Sequence, residues 1–565
     1  MLAGASIKDI TPKEPVYLGG YGIGPIRLCK QVSSRLEARC LAIEDPESGE
    51  CTIFLSLDTQ GLPAQTNRRW FGQDAIEQRI EAEFPRVTQV FAASSHSHCS
   101  PDTTGLWGSV PESYAELLID RAVEAAREAL SSLQEASLWF GTCSTKGLLR
   151  SQVRWRPHDR VEPRIFVLEA RQRSSAGRPI GRILAFAAHA TVASGNHMTA
   201  DWPGVVASRL DDDFGGITVV LPGCIGRTQP LYRGRGTQQD VVAYAEAVLR
   251  QLRSVFGDSK TEALREIERP QVCSARAEIY LRPYNLAMAM LARRMGRLAR
   301  SKATGSEVSY SRASGTNGAF GRSAGTEILP GPSADTAMSG DFSNRSEAAA
   351  KTRIKLIRIG HLLFVGMPGE AYPNLQWAIE GKVQRAEAGG GGEKITPIVC
   401  SLVGDQIGYL IYPPGTYLVL AMESMWNDNA LLCVSPTAAT RLLGAVERTL
   451  PKVGVRLEGG PSGQISESGA AEHNSLPYPA SARELALWDL VGIPSSAMAL
   501  CLAVAGLALY PVIQAGKIAR NIAFGQNRVL RGRIGIGSGA HKNRRSNGRL
   551  APKRLQPKGS ATPPP

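Results

Sequence analysis

The sequence predicts an α/β fold, and three observations point there. Apolar runs of strand length recur along residues 1–455. Between them lie stretches with apolar residues at three- and four-residue spacing, the mark of helices with one buried face. At 565 residues and 43% hydrophobic content, the chain is long enough for a large core or two domains. Strands alternating with helices are the pattern of α/β layering.

In chain order, the predicted strands are "CTIFLSLD" (51–58), "VTQVFAA" (87–93), "RILAFAAHAT" (182–191), "GITVVLPG" (216–223), "LLFVGMPG" (362–369) and "TPIVCSLVG" (396–404). Each is short, rich in β-formers and bounded by Gly, Pro, Asp or Ser. Residues 113–133 place Leu118, Ala122, Ala126, Ala129 and Leu133 on one helical face, and residues 437–450 read the same way. Residues 303–351, rich in Ser, Gly and Ala, read as a flexible surface insertion. No internal repeat is present.

The domain plan is therefore a catalytic-type body over residues 1–455, then a linker over 456–487 whose centre (459–481) is poor in core formers. Residues 490–516, "LVGIPSSAMALCLAVAGLALYPVIQAG", carry no charge and are long enough for one membrane span or a surface anchor. Residues 517–565 read as a disordered basic tail, with Lys517, Arg520, Arg528, Arg531 and Arg533 directly after the apolar segment.

The formal charge of +14 belongs to that tail: twelve Lys/Arg and no acid fall in 516–565, so the body is near neutral. Phe524 is the only aromatic residue there, so stacking platforms are lacking and no specific nucleic-acid partner is expected. The ten cysteines occur without a CxxC pair, so a zinc ribbon or thioredoxin-type site is unsupported. The opening, "MLAGASIKDITPKEP", has no apolar core behind a basic start, so no cleavable signal peptide is read there.

Polar residues gather where predicted strands end. Asp58 closes "TIFLSLD"; His96 and His98 follow "VTQVFAA"; His189 sits in "AFAAHAT"; Glu370 follows "LLFVGMPG"; Tyr409 follows "IVCSLVGDQIG". Ligand sites of α/β folds form at such strand ends. In an extended chain His96 and His98 project to the same side. Two or three imidazoles with a carboxylate have the composition of a catalytic zinc site. The bland alternatives are a hydrogen-bonded core histidine at position 189 and a helix-capping role for Glu370 before "EAYPNLQWAIE".

Several segments, in order, resemble the N-terminal catalytic domain of the neutral ceramidase family. They are "AGASIKDITPKEPVYLGGYG", "LEARCLAIEDPESGECTIFLSLDTQGLP", "SSHSHCSP", "HATVASGNHMTADWPG", "LPGCIGRTQP", "VGMPGE" and "IGYLIYPPGTY". The likeness ends near Leu450 and covers about four-fifths of the chain. It implies a mixed-sheet catalytic domain, a single Zn²⁺ held by His96, His189, Glu370 and Tyr409, and His98 beside the metal as the proton carrier. It also implies that Arg150, in "GLLRSQVR", helps to hold the substrate. The implied reaction is hydrolysis of the N-acyl bond of ceramide or a related lipid, giving a fatty acid and a sphingoid base.

The chain also departs from the family pattern. Where the family has Gly-Asp-Val-Ser-Pro with a catalytic Ser, this chain has Gly226-Arg227-Thr228-Gln229-Pro230. Gln229 can donate a hydrogen bond to an oxyanion but cannot be a nucleophile. A second family Tyr falls near Met422 and Glu423, and the apolar segment and tail stand where the family has a C-terminal β-domain. The expectation is a membrane-associated zinc amidohydrolase. The alternatives are an inactive membrane-tethered lipid binder and a zinc hydrolase acting on a different amide or ester.

Overall fold

Strand Glu50–Leu57 shows how the sequence builds the layers. Its side chains alternate, so Ile53 and Leu55 pack under helical cover while Phe54 enters the opposite face. Both faces are buried, and five of its eight residues are apolar. The computed structural model describes residues 1–455, except 23, 30, 67, 69, 154–159, 175–176, 257–263, 284–297, 301–307, 313–326, 330–347, 388–393 and 423–428, and also describes 494, 495 and 497. The chain divides into two units, Met1–Gly506 and Leu507–Pro565, and every described residue belongs to the first.

The first sheet has nine strands in the order Ile217–Pro222, Pro179–Phe186, Arg164–Gln172, Gln134–Ser144, Leu2–Asp9, Glu37–Asp45, Glu50–Leu57, Gln89–Ser94, with Arg265–Glu266 paired to Gln134–Ser144. The second has seven, in the order Glu327–Leu329, Val308–Arg312, Val272–Leu281, Ala348–Ile359, Leu362–Gly366, Thr396–Cys400, with Leu298–Arg300 added to Ala348–Ile359. Both sheets are mixed. Glu50–Leu57 runs parallel to Gln89–Ser94, Pro179–Phe186 to Ile217–Pro222, and Leu362–Gly366 to Thr396–Cys400, while most other pairs are antiparallel.

The two sheets face one another across a shared core that includes Leu41, Phe54 and Phe91 from one and Ile357, Phe364 and Ile398 from the other. The rings of Phe54 and Phe364 stand 5.0 Å apart and those of Phe54 and Phe91 5.4 Å. Each such buried side chain contributes roughly 1.5–3 kcal/mol. Helices Glu112–Ser131 and Gln73–Glu83 cover one outer face of the first sheet, and Asp201–Phe214 and Gln238–Phe256 pack over its other half. Helices Pro373–Glu387 and Ala438–Thr449 cover the second sheet.

The expected strands and the helices over 113–133 and 437–450 are present, with ends shifted by a few residues. Strand Pro179–Phe186 stops short of His189, which lies in the following loop. Within 303–351, the described residues form Val308–Arg312, Glu327–Leu329 and the start of Ala348–Ile359, and the rest lies outside the described residues. Ladder pairing with Val272–Leu281 compensates for the weak composition there. The linker 456–487 and the tail 517–565 lie outside the described residues, as does the apolar segment 490–516 apart from 494, 495 and 497. Among the described residues, no helix is long and apolar enough to cross a membrane.

A buried ionic network ties helix Gln73–Glu83 to strand Ala348–Ile359. The Lys355 ammonium, fully buried, pairs with Glu77 and donates to the Val90 carbonyl at 2.6 Å. Arg353 pairs with Asp74 and, at 3.1 Å, with Glu77. Removing one partner of a buried pair strands the other, so Lys355→Met should destabilise the fold by about 3–5 kcal/mol. Combining it with Glu77→Leu should recover part of that loss, as read by denaturant titration.

Candidate metal centre

The parallel strand pairs point their carboxyl ends at one region, where the chain must leave the sheets and side chains lose their strand neighbours. After Gln89–Ser94, the Ser95 amide donates to Leu57 O at 2.8 Å and the His96 amide to Thr59 O at 3.0 Å. His96 takes a left-handed backbone, φ 66°. The extended path predicted for "HSH" is therefore replaced by a tight turn, and the two rings meet for a different reason. Their Nε2 atoms stand 3.2 Å apart, with ring planes at 84°.

His189 follows Phe186 by three residues, and the "ADWPG" segment holds its loop. The Trp202 indole donates to His189 O at 3.0 Å, and Asp201 accepts the Ala193 amide at 2.8 Å. Asp201 is fully buried, and burial raises its pKa to about 6. Glu370 begins a two-residue strand, Glu370–Ala371, that runs parallel to Tyr409–Leu410 with Glu370 opposite Tyr409.

These turns bring three elements together. The His189 Nε2 lies 3.1 Å from one Glu370 oxygen, and the His96 Nε2 lies 3.6 Å from the other. The three nitrogens offered by His96, His98 and His189 all lie within 4.8 Å of one another. His96, His189, Glu370 and Tyr409 are all buried, and His98 is half-buried.

Hydrogen bonding determines which ring atoms are available. The His96 Nδ1 contacts the Gln60 carbonyl and the His189 Nδ1 contacts Thr228 O at 3.0 Å. A carbonyl only accepts, so each Nδ1 carries the proton and each Nε2 presents a lone pair. Two lone pairs thus converge on a carboxylate, an arrangement that repels itself until a cation sits among them. The donor separations also fit: zinc bonds of about 2.0–2.2 Å at tetrahedral angles place ligand atoms roughly 3.3 Å apart. Protonated imidazoles would themselves supply such a cation: burial pushes the Glu370 pKa up, but the charge and hydrogen bonds of protonated His96 and His189 more than offset this and hold it well below the usual carboxylate range. Burial, with His96 and His189 beside it, pushes the His98 pKa well below that of an ordinary imidazole.

The remaining predicted residues sit around this cluster. Gln229 follows Thr228 in strand Thr228–Pro230, opposite Arg150 of Leu149–Ser151, and its Oε1 accepts the Thr191 hydroxyl at 2.6 Å. That leaves its amide N–H pair to donate elsewhere. Arg150 is exposed across the strand pair from Gln229. Met422 ends helix Gly415–Met422, and Glu423 lies outside the described residues. Asp58 plays a local part: its carboxylate accepts the Glu37 amide at 2.9 Å.

Sequence reasoning missed the shell that supports the cluster. Gln60 and Thr228 pin the imidazoles through main-chain carbonyls, which no residue type announces. The Tyr21 ring meets the His98 ring edge-on at 4.9 Å. At Gly20, φ is 97° and a Cβ would fall 2.4 Å from the His98 ring, so only glycine fits. The "GGYG" run was the available signal.

Solved structures that share this fold include two ceramidases. One is neutral ceramidase from Pseudomonas aeruginosa, with a TM-score of 0.60 at 16% identity over 81% of this chain and 75% of that one. The other is described as a ceramidase complexed with C2, with a TM-score of 0.57 at 16% identity over 78% and 73%. No family model and no curated protein sequence matches the chain. The chain has the neutral ceramidase fold.

Asp58 provides a test of the burial argument. Burial, then the nearby Glu37 carboxylate, raises its pKa to about 7. Between pH of about 4 and 7 the folded chain holds this proton and the unfolded chain does not, so its contribution to stability falls as pH rises. Asp58→Asn should therefore gain stability over the native protein above pH 7 and not at pH 4, as read from denaturation midpoints at the two values.

Proposed function

We propose that this protein is a zinc-dependent amidohydrolase that cleaves the N-acyl bond of ceramide or a related lipid to a fatty acid and a sphingoid base. One observation carries the reading: two imidazoles, each pinned through Nδ1 to a carbonyl, turn their Nε2 atoms toward one buried carboxylate. The shared fold with ceramidases supports the substrate class. His96, His189 and Glu370 would hold the ion, with Tyr409 as the fourth ligand from the strand beside Glu370. Bound zinc would acidify water and polarise the acyl carbonyl.

The protein's own residues supply the rest. His98, kept neutral by its surroundings, takes the proton of the attacking water and passes it to the leaving amine. Gln229, steadied by Thr191, turns its N–H pair to the developing oxyanion. Arg150, exposed opposite Gln229, contacts the substrate outside the reacting centre. The apolar segment 490–516 and the basic tail hold the body at an anionic membrane, where each nearby Lys or Arg contributes on the order of 1 kcal/mol. Gln229 in the place of the family serine favours a second reading, an inactive lipid-binding relative.

Chelation should abolish hydrolysis of a short-chain fluorescent ceramide, and zinc should restore it. His96→Ala should lose both metal and activity. His98→Ala should keep the metal and lose about 10²–10⁴-fold in kcat. A protein fully loaded with zinc that turns over no N-acyl lipid or ester would establish the binder instead.

A further inference from the structure

His98 differs from its two neighbours in how it is held. Its Nδ1 is buried without a hydrogen-bond partner, whereas the Nδ1 atoms of His96 and His189 are each pinned to a carbonyl. A ring with no such bond needs another means of keeping its Nε2 on the cluster. The main chain of His98 supplies it: the amide donates to Ala190 O at 3.0 Å, and the carbonyl accepts from the Arg27 guanidinium at 2.7 Å.

Arg27 is buried, 8% exposed, and the partners of its guanidinium are not acids. One terminal nitrogen donates to Gly195 O at 3.1 Å and lies 3.8 Å from the Cys99 sulfur. The other bonds Gly19 O as well as His98 O. Its carbon sits 4.8 Å from the centre of the Tyr21 ring, the same ring that meets His98 edge-on. The Tyr21 hydroxyl in turn donates to Thr191 O and Ala193 O. One planar fork thus fastens residues 19–21, 98–99 and 193–195 together.

A desolvated cation with no counter-charge bonded to it among the described residues is an expensive way to join three loops, and an apolar side chain of similar size is often as stable or more so. What an apolar chain lacks is a set of fixed donors that hold the His98 carbonyl and the Tyr21 ring in one frame. We propose that Arg27 is a positioning residue that fixes the His98 imidazole through its own carbonyl and through Tyr21, so that Nε2 faces His96, His189 and Glu370. The assignment rests on the proposed role of His98 as proton carrier.

The test compares zinc-loaded native protein with Arg27→Met. Two readouts are followed: kinetics on the fluorescent ceramide, and modification of His98 by diethyl pyrocarbonate, followed by peptide mass spectrometry. The expected result is a kcat lower by about 10- to 100-fold with KM held within about twofold, unchanged metal content, and His98 modified several-fold faster. Unchanged His98 reactivity, or a loss of metal together with activity, overturns the inference and leaves Arg27 a structural prop. If Arg27→Met does not fold, Arg27→Lys, which keeps the charge but cannot span three carbonyls, decides by the same readouts. A native protein that hydrolyses nothing refutes the proposed function, while the His98 reactivity still settles the role of Arg27.

Discussion

The Glu370 carboxylate is the constraint on which the rest of the structure turns. It is buried and set against the Nε2 atoms of two imidazoles whose Nδ1 atoms are taken up by main-chain carbonyls. Charge of this kind survives inside a protein only when a cation answers it. The two-sheet frame supplies the necessary geometry: strand ends from both sheets bring the histidine turns and Glu370 to one place. The aromatic core between the sheets, with Phe54, Phe91 and Phe364 at its centre, keeps those ends from drifting.

Much of this was legible in the sequence, and for a clear reason. Strands buried on both faces read as continuous apolar runs, so "CTIFLSLD" and "VTQVFAA" announced themselves. A polar residue at the end of such a run has to be solvated or put to use, which marks out His96, His189 and Glu370. What was not legible depends on backbone geometry. The turn at His96 replaces the extended path, and no residue pattern signals that a histidine will adopt φ 66°. The carbonyls of Gln60 and Thr228 are invisible for the same reason. Lys355 and Arg353 lie in a strand whose partners are far away in sequence, so their burial against Glu77 cannot be read locally.

The departures from the resembled pattern, Gln229 among them, fall outside His96, His189 and Glu370. Gln229 occupies the serine position, yet Thr191 holds its amide and Arg150 stands opposite. Hydrolysis by activated water needs no serine nucleophile. Under the proposed function, a change of this kind would alter which acyl group or head group is preferred without removing a metal ligand. The buried arginine behind His98 fastens the loops on which the cluster stands.

The central claim is that two imidazoles and one carboxylate form a single metal site. Anomalous X-ray diffraction from zinc-loaded crystals tests it most directly. The account predicts one anomalous peak bonded at about 2.0–2.2 Å to the Nε2 atoms of His96 and His189 and to a Glu370 oxygen. Zinc bound elsewhere, or bound at the histidines with Glu370 turned away, would contradict it.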